Sequence, residues 1–226
     1  FKVMLRLKSR GVKVTTILSK AGVEIARMYG ILDRLREVSN GSRYEEVFTD
    51  EYSYSGYPIA GRIALKRYNL LVIAPATSNT MAKIVRGIAD NIVTTAFSQA
   101  LKSRVEVVVL PSEYAVKSKT QLPCIVDYEE CRGCMECKPL EKCPYNAIFR
   151  VEHERVSINL MKCRGCELCV KLCQFKAIEC WREVEVEASQ LDLDNLERLS
   201  RIRGVHIVNS PKTLELKVLK LLGVEK

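Results

Sequence analysis

Short runs of aliphatic and β-branched residues alternate along this chain with stretches whose apolar positions recur every three or four residues. Residues 12–18 read as a buried strand ending at Ser19, and 70–74 and 105–110 read the same way, the last stopped by Pro111. Around them the period is helical. Residues 1–10 predict an amphipathic helix with Phe1, Met4, Leu5 and Val3 on its apolar face. Residues 21–29 predict a helix broken by Gly30; 78–86 and 90–103 predict two more, separated at Gly87. The pattern resumes near the far end as helix 191–203, strand 205–208 and helix 211–222. Buried strands joined by helices predict an α/β fold, a parallel sheet with helices on both faces.

Between 121 and 182 this periodicity gives way to cysteines. Cys131, Cys134, Cys137 and Cys143 form Cys-x-x-Cys-x-x-Cys-x5-Cys-Pro; Cys163, Cys166, Cys169 and Cys173 form Cys-x-x-Cys-x-x-Cys-x3-Cys-Gln. A 4Fe–4S cluster needs four thiolates at the corners of a tetrahedron, and two-residue gaps let three sulfurs of one loop converge on adjacent irons. The repeat extends beyond the cysteines: Cys-Arg-Gly-Cys occurs at 131 and again at 163, and Cys-Pro-Tyr-Asn-Ala-Ile at 143 matches Cys-Gln-Phe-Lys-Ala-Ile at 173.

The repeat resembles the bacterial-type ferredoxins, over residues 121–182. In two-cluster ferredoxins the distal cysteine of each run serves the other cluster. That resemblance implies one cluster on Cys131, Cys134, Cys137 and Cys173 and a second on Cys163, Cys166, Cys169 and Cys143. Two departures stand out: the first copy has two extra residues before its last cysteine, expected to widen the loop, and Gln174 replaces proline in the second copy. Structural zinc favours two separated pairs over two triplets with distal partners. Ten cysteines in 226 residues also fall below the usage typical of disulfide scaffolds. Cys124 and Cys180 lie outside both runs and are expected to be ordinary buried thiols.

Thiolate ligation suggests a reducing cytoplasm. The apolar runs are too short to span a bilayer, so no membrane partner is expected. The formal charge is +9, but two oxidised clusters and one bound cofactor phosphate, at roughly −2 each, would bring the loaded chain nearer +3. Basic residues are dispersed among acidic ones such as Glu183, Glu185 and Glu187. This argues against nucleic acid and for a surface that attracts a small acidic protein such as a ferredoxin.

A second chemical signal is the strand–turn–helix junction Ala74-Pro75-Ala76-Thr77-Ser78-Asn79-Thr80. Ligands of open α/β sheets bind beyond the carboxyl ends of strands. Here small residues, three hydroxyls and an amide meet a helix N-terminus suited to anionic or polar groups; the same residues also suit a plain N-cap with a proline turn. Pro75, Ala76, Thr77, Ser78, Asn79 and Thr80, continuing into Met81-Ala82-Lys83-Ile84 and Gly87-Ile88-Ala89-Asp90-Asn91, resemble the Pro-Ala-Ser-Ala-Asn-Thr signature of the homo-oligomeric flavin-containing cysteine decarboxylase superfamily. The resemblance covers 1–120 and 183–226 and implies a flavodoxin-like fold that binds FMN through those residues and Ser19. It also implies flavin sites between subunits of a trimer-based homo-oligomer. The family's opening strand and Gly-rich phosphate loop have no counterpart; with a chain that begins at Phe1, a native beginning is expected to be missing, and with it a central strand. The decarboxylases' catalytic His falls at Gly61, and His153 and His206 stand elsewhere as expected surface imidazoles, so decarboxylation is not expected.

Together the two halves are similar to the archaeal iron–sulfur flavoproteins of the dihydromethanopterin reductase (acceptor) kind. The resemblance implies electrons passing from ferredoxin through two clusters to FMN and on to a pterin. Flavins suit that task because they collect single electrons and release a pair. An electron carrier serving a partner protein is the alternative. Tyr52, Tyr54 and Tyr57 are candidates for stacking on a substrate, and the lack of Gly-x-Gly-x-x-Gly makes a nicotinamide a poor direct donor.

Overall fold

The computed structural model describes residues 1–50 and 56–224. Helix α1 (Lys2–Ser9), strand β1 (Thr16–Leu18), helix α2 (Lys20–Met28), strand β2 (Val47–Thr49), helix α3 (Gly56–Ala64) and strand β3 (Leu70–Ala76) come first. Helices α4 (Ser78–Val85) and α5 (Ile92–Ser103) and strand β4 (Glu106–Pro111) follow. Then come β5 (Lys117–Gln121), β6 (Ile125–Val126), α6 (Lys138–Lys142), β7 (Ile148–Arg150), β8 (Val156–Ile158), α7 (Leu168–Leu172), β9 (Ile178–Glu179) and β10 (Glu183–Glu187). Helix α8 (Gln190–Ser200), strand β11 (Val205–Ile207) and helix α9 (Pro211–Leu222) complete the order. Tyr52, Tyr54 and the side chain of Tyr57 lie outside the described residues.

Two compact units share the chain. One comprises Phe1–Ala21, Leu35–Ser118 and Glu187–Lys226; the other joins Gly22–Arg34 to Lys119–Val186. In the first unit, β11, β4 and β3 form a parallel sheet in that order, and β1 pairs with β2, also in parallel. The pleat of β4 sorts its valines to opposite faces. Val107 and Val109 pack with Met81 and Ile84 of α4, Ala96 and Phe97 of α5 and Leu199 of α8. Val108 packs with Val3 and Leu7 of α1 and with Leu214 and Val218 of α9. Helices therefore cover both faces, as the apolar runs require.

Local chemistry sets the helix ends. Asn91 and Thr94 form a reciprocal capping box at α5, and Ser210 and Thr213 do so at α9, where Pro211 opens the helix and Gly223, at φ 67°, closes it. Two expectations need correction. The buried face of α1 is Val3 and Leu7, one helical turn apart, while Met4 and Leu5 are half-buried. The first strand is only Thr16–Leu18, because Val12 N–H donates to Leu7 O and finishes the end of α1.

In the second unit, β6 pairs antiparallel with β9 and β7 with β8 around a small core of Cys137, Ile148, Val156 and Ile178. The extra residues of the first cysteine repeat do not widen a loop. They lie in α6, which Pro139 enters within its first turn, a position where its missing N–H costs nothing. Among the described residues no helix is long and apolar enough to cross a membrane.

Candidate functional site

The two short helices of the second unit explain where the sulfurs go. Cys137 caps the start of α6 and Cys143 its end; Cys169 lies in the first turn of α7 and Cys173 caps its end. Each helix thus holds the third and fourth cysteines of its own repeat at opposite ends. Cys131, Cys134, Cys137 and Cys173 line one cavity, and Cys143, Cys163, Cys166 and Cys169 line another. The distal cysteine of each run stands with the triplet of the other.

These cavities favour a cation. Burial pushes the Cys169 thiol up to about 11 and also raises Cys137, with neighbouring cysteines adding to the effect at both. A desolvated thiolate is costly until positive charge replaces its proton, which bound iron does. Polar hydrogens point at the sulfurs as well: Ala147 N–H donates to Cys143 Sγ and Gly165 N–H to Cys163 Sγ, each at 3.4 Å. Gln174, noted in the sequence only as a lost proline, donates through Nε2 to Cys134 Sγ at 3.9 Å. Such bonds stabilise negative charge on sulfur and tune a cluster. Donor type, number and convergence all fit two four-thiolate centres.

Cys124 and Cys180 are not free thiols: they form a disulfide. Their sulfurs and Cys169 Sγ all lie within 4.8 Å of one another. Register accounts for the bond, since they sit opposite each other one step beyond the β6–β9 ladder. Nor is His206 a solitary imidazole, for its Nε2 lies 2.6 Å from Glu106 Oε2; His153 is exposed in a turn at φ 57°.

In the first unit, the turn after β3 has the features expected of an anion-tolerant strand–helix junction. The β3–β4 register shifts between Ile73 and Ala76, and pairing resumes at Ala76, opposite Pro111, whose neighbour Ser112 donates its N–H to Ala76 O at 2.9 Å just before α4 begins. Thr77 Oγ1 accepts from Thr80 N–H and lies 3.1 Å from Thr80 Oγ1. Ser78 Oγ donates to Glu113 Oε2 at 2.8 Å, a partner the sequence did not signal. Ala76 is buried, while Pro75, Thr77 and Asn79 are exposed. The Asn79 amide is thus presented to solvent at the helix N-terminus, with both a donor and an acceptor. Ser19 stands at the matching place after β1, before α2. Small exposed groups at a helix N-terminus fit a polar cofactor edge.

Comparisons with known proteins join these two sites. A family model described as Flavoprotein matches residues 1–118, and one described as a 4Fe-4S binding domain matches residues 156–179. The chain is 39% identical over 210 residues to the dihydromethanopterin reductase (acceptor) of Methanosarcina mazei, covering 93% of this chain and 87% of that protein. Its namesake in Methanocaldococcus jannaschii is 40% identical over 215 residues, with 93% and 86% covered. The chain belongs to the dihydromethanopterin reductase (acceptor) family. It is an iron–sulfur flavoprotein of the oxidoreductase class. Among solved structures, Burkholderia xenovorans DmrB in complex with FMN, described as a cubic protein cage for redox transfer, superposes with a TM-score of 0.58 at 24% identity over 97% of this chain and 87% of that one. Phenylacrylic acid decarboxylase from Aquifex aeolicus gives 0.51 at 15% identity over 100% and 89%. Both likenesses concern the fold, which is flavodoxin-like in the first unit.

Proposed function

We propose that this chain reduces a dihydropterin of the dihydromethanopterin class with electrons from a ferredoxin-class donor, working as a trimer-based homo-oligomer. In this reading Cys131, Cys134, Cys137 and Cys173 hold one 4Fe–4S cluster, and Cys163, Cys166, Cys169 and Cys143 hold a second. Ser19, Pro75, Ala76, Thr77, Ser78, Asn79 and Thr80 hold FMN. The observation that carries the reading is the crossed gathering of the two cysteine repeats into two cavities, in a chain about 40% identical to two relatives named for dihydromethanopterin reduction. Bound FMN supplies the conversion between the single electrons of iron–sulfur centres and the electron pair that a C=N bond takes up.

The chain's own part is positional and electrostatic. Helices α6 and α7 fix the spacing of the sulfurs, and the N–H groups of Ala147, Gly165 and Gln174 hold charge on them. Thr77 is committed to capping α4 and Ser78 to Glu113, which leaves Asn79 as the exposed polar group to orient a flavin ring. The +9 of the bare chain, lowered to roughly +3 once clusters and flavin are bound, still favours encounter with an acidic donor protein.

Anaerobically reduced protein mixed with dihydromethanopterin tests the proposal. Flavin absorbance should recover while tetrahydromethanopterin accumulates. If the flavin stays reduced with the pterin yet reoxidises with a partner protein, the chain is a carrier and the proposal fails.

A further inference from the structure

We propose that Cys124 and Cys180 form a further redox site, a disulfide/dithiol couple that stores two electrons beside the cavity of Cys143, Cys163, Cys166 and Cys169. This rests on the crossed ligation proposed above, since it needs a cluster held by those four thiolates.

Strand register builds the pair. Ile125 lies opposite Glu179 and Val126 opposite Ile178; one step outward sets Cys124 opposite Cys180. Directly opposed residues on antiparallel strands face each other, and here the two Cα atoms lie 3.9 Å apart, so the disulfide joins the strands with no loop having to move. Backbone bonds flank the pair on both sides: Asp127 N–H donates to Ala177 O at 2.8 Å, and Trp181 N–H to Leu122 O at 2.9 Å. That ladder survives cleavage of the S–S bond. The two thiols stay opposed and can close again.

The position supplies a route for electrons. Cys169 Sγ lies within 4.8 Å of both sulfurs of the pair, and Cys124 lines the same cavity as the four cysteines. Cys124 is 2% exposed, which blocks in-line attack on its sulfur by an outside thiolate but not electron transfer from a neighbouring centre. As a staple the bond adds little. With a cluster already tying Cys131 to Cys173, it closes only the short flanks 125–130 and 174–179, and a cross-link gains most from long loops.

The chemistry balances: the S–S bond breaks, each sulfur gains one electron and one proton from water, and two thiols result. The electrons come one at a time from the ferredoxin-class donor, and oxidation returns them the same way.

To test this, the holoprotein is poised anaerobically over a series of potentials with mediator dyes and quenched with an alkylating reagent. The peptides carrying Cys124 and Cys180 are then weighed. Both cysteines should pass together and reversibly from disulfide to doubly labelled dithiol. Reductive titration should take up two more electrons per chain in the wild type than in the Cys124→Ser/Cys180→Ser variant at equal iron content. A bond that persists at every potential is an inert staple, and two thiols that never join are plain cysteines; either overturns the couple. If the variant fails to fold, labelling of the wild type still decides. Iron analysis of the same sample separates the two readings: absent iron overturns the ligation and the couple together, while iron with an unchanging sulfur state overturns the couple alone.

Discussion

Trp181 stacks on Tyr29, with ring centroids 4.6 Å apart and planes inclined by 24°. Gly165, between Cys163 and Cys166, lies beneath the indole: a Cβ there would stand 2.1 Å from one Trp181 ring carbon and 2.8 Å from Met28 O, at a φ of +60°. The segment Gly22–Arg34 thus belongs to the same compact unit as the cysteine repeats. Gly133, the counterpart in the first repeat, has φ +66°, and a Cβ there would meet His153 O at 2.6 Å.

Gly165→Ala should therefore lower iron content and destabilise the cysteine-rich unit by about 1–3 kcal/mol, the usual cost of overpacking. Gly133→Ala should act in the same direction through backbone contact. Iron per chain and thermal unfolding of the anaerobic protein measure both. Full iron and an unchanged melting curve in Gly165→Ala would mean that the stacked rings do not constrain the loop.

At the other site, capping and flavin binding separate by mutation. Thr77→Ala removes the cap of α4 and should cost about 1 kcal/mol of stability. Asn79→Leu leaves the cap in place but deprives a flavin ring of its polar partner, so FMN affinity should fall about tenfold or more with little change in stability. Equal flavin retention in Asn79→Leu and wild type would reduce Asn79 to a surface residue.

Acid should loosen the first unit at one identifiable place. Arg62 donates to both carboxylate oxygens of Glu46, at 2.9 and 3.0 Å, and holds Glu46 below the usual carboxylate range. Arg62 also donates to Tyr68 Oη at 3.2 Å and is itself raised, first by Glu46. A depressed folded-state pKa contributes stability above the unfolded value of about 4.3, and that contribution is lost as pH falls through the folded value. Glu46→Gln should weaken hydrogen-exchange protection of β2 and α3 at pH 6 by about 0.5–1 kcal/mol. The difference from wild type should close as pH is lowered towards 3. A difference that is constant with pH would assign it to lost packing.

Strong local signals made much of this legible. β4 holds an unbroken apolar run, β11 alternates as Val205-His206-Ile207, and α5, α8 and α9 carry both caps and period. What was missed depends on distant partners. β2 has three residues and exists because β1 pairs with it; α3 contains Gly56, Pro58 and Gly61, which read against a helix until packing of Ile59 and Ile63 is known. The cysteine spacing exposed the clustered thiols, because the convergence it encodes is local. The Cys124–Cys180 bond was hidden, since it follows from the register of two strands of two residues each. Glu113 at Ser78 was hidden for the same reason, being 35 residues away.

The crossed ligation is the claim on which the rest depends, and Cys143→Ala tests it most directly. Iron, sulfide and low-temperature electron paramagnetic resonance should be measured on anaerobic wild type and variant. The wild type should hold about eight irons and eight sulfides per chain. The variant should lose the centre of Cys163, Cys166 and Cys169 and keep the signal of the one that Cys131, Cys134, Cys137 and Cys173 hold. Zinc in place of iron, or loss of the centre nearest Cys143 in sequence with the other intact, would contradict it.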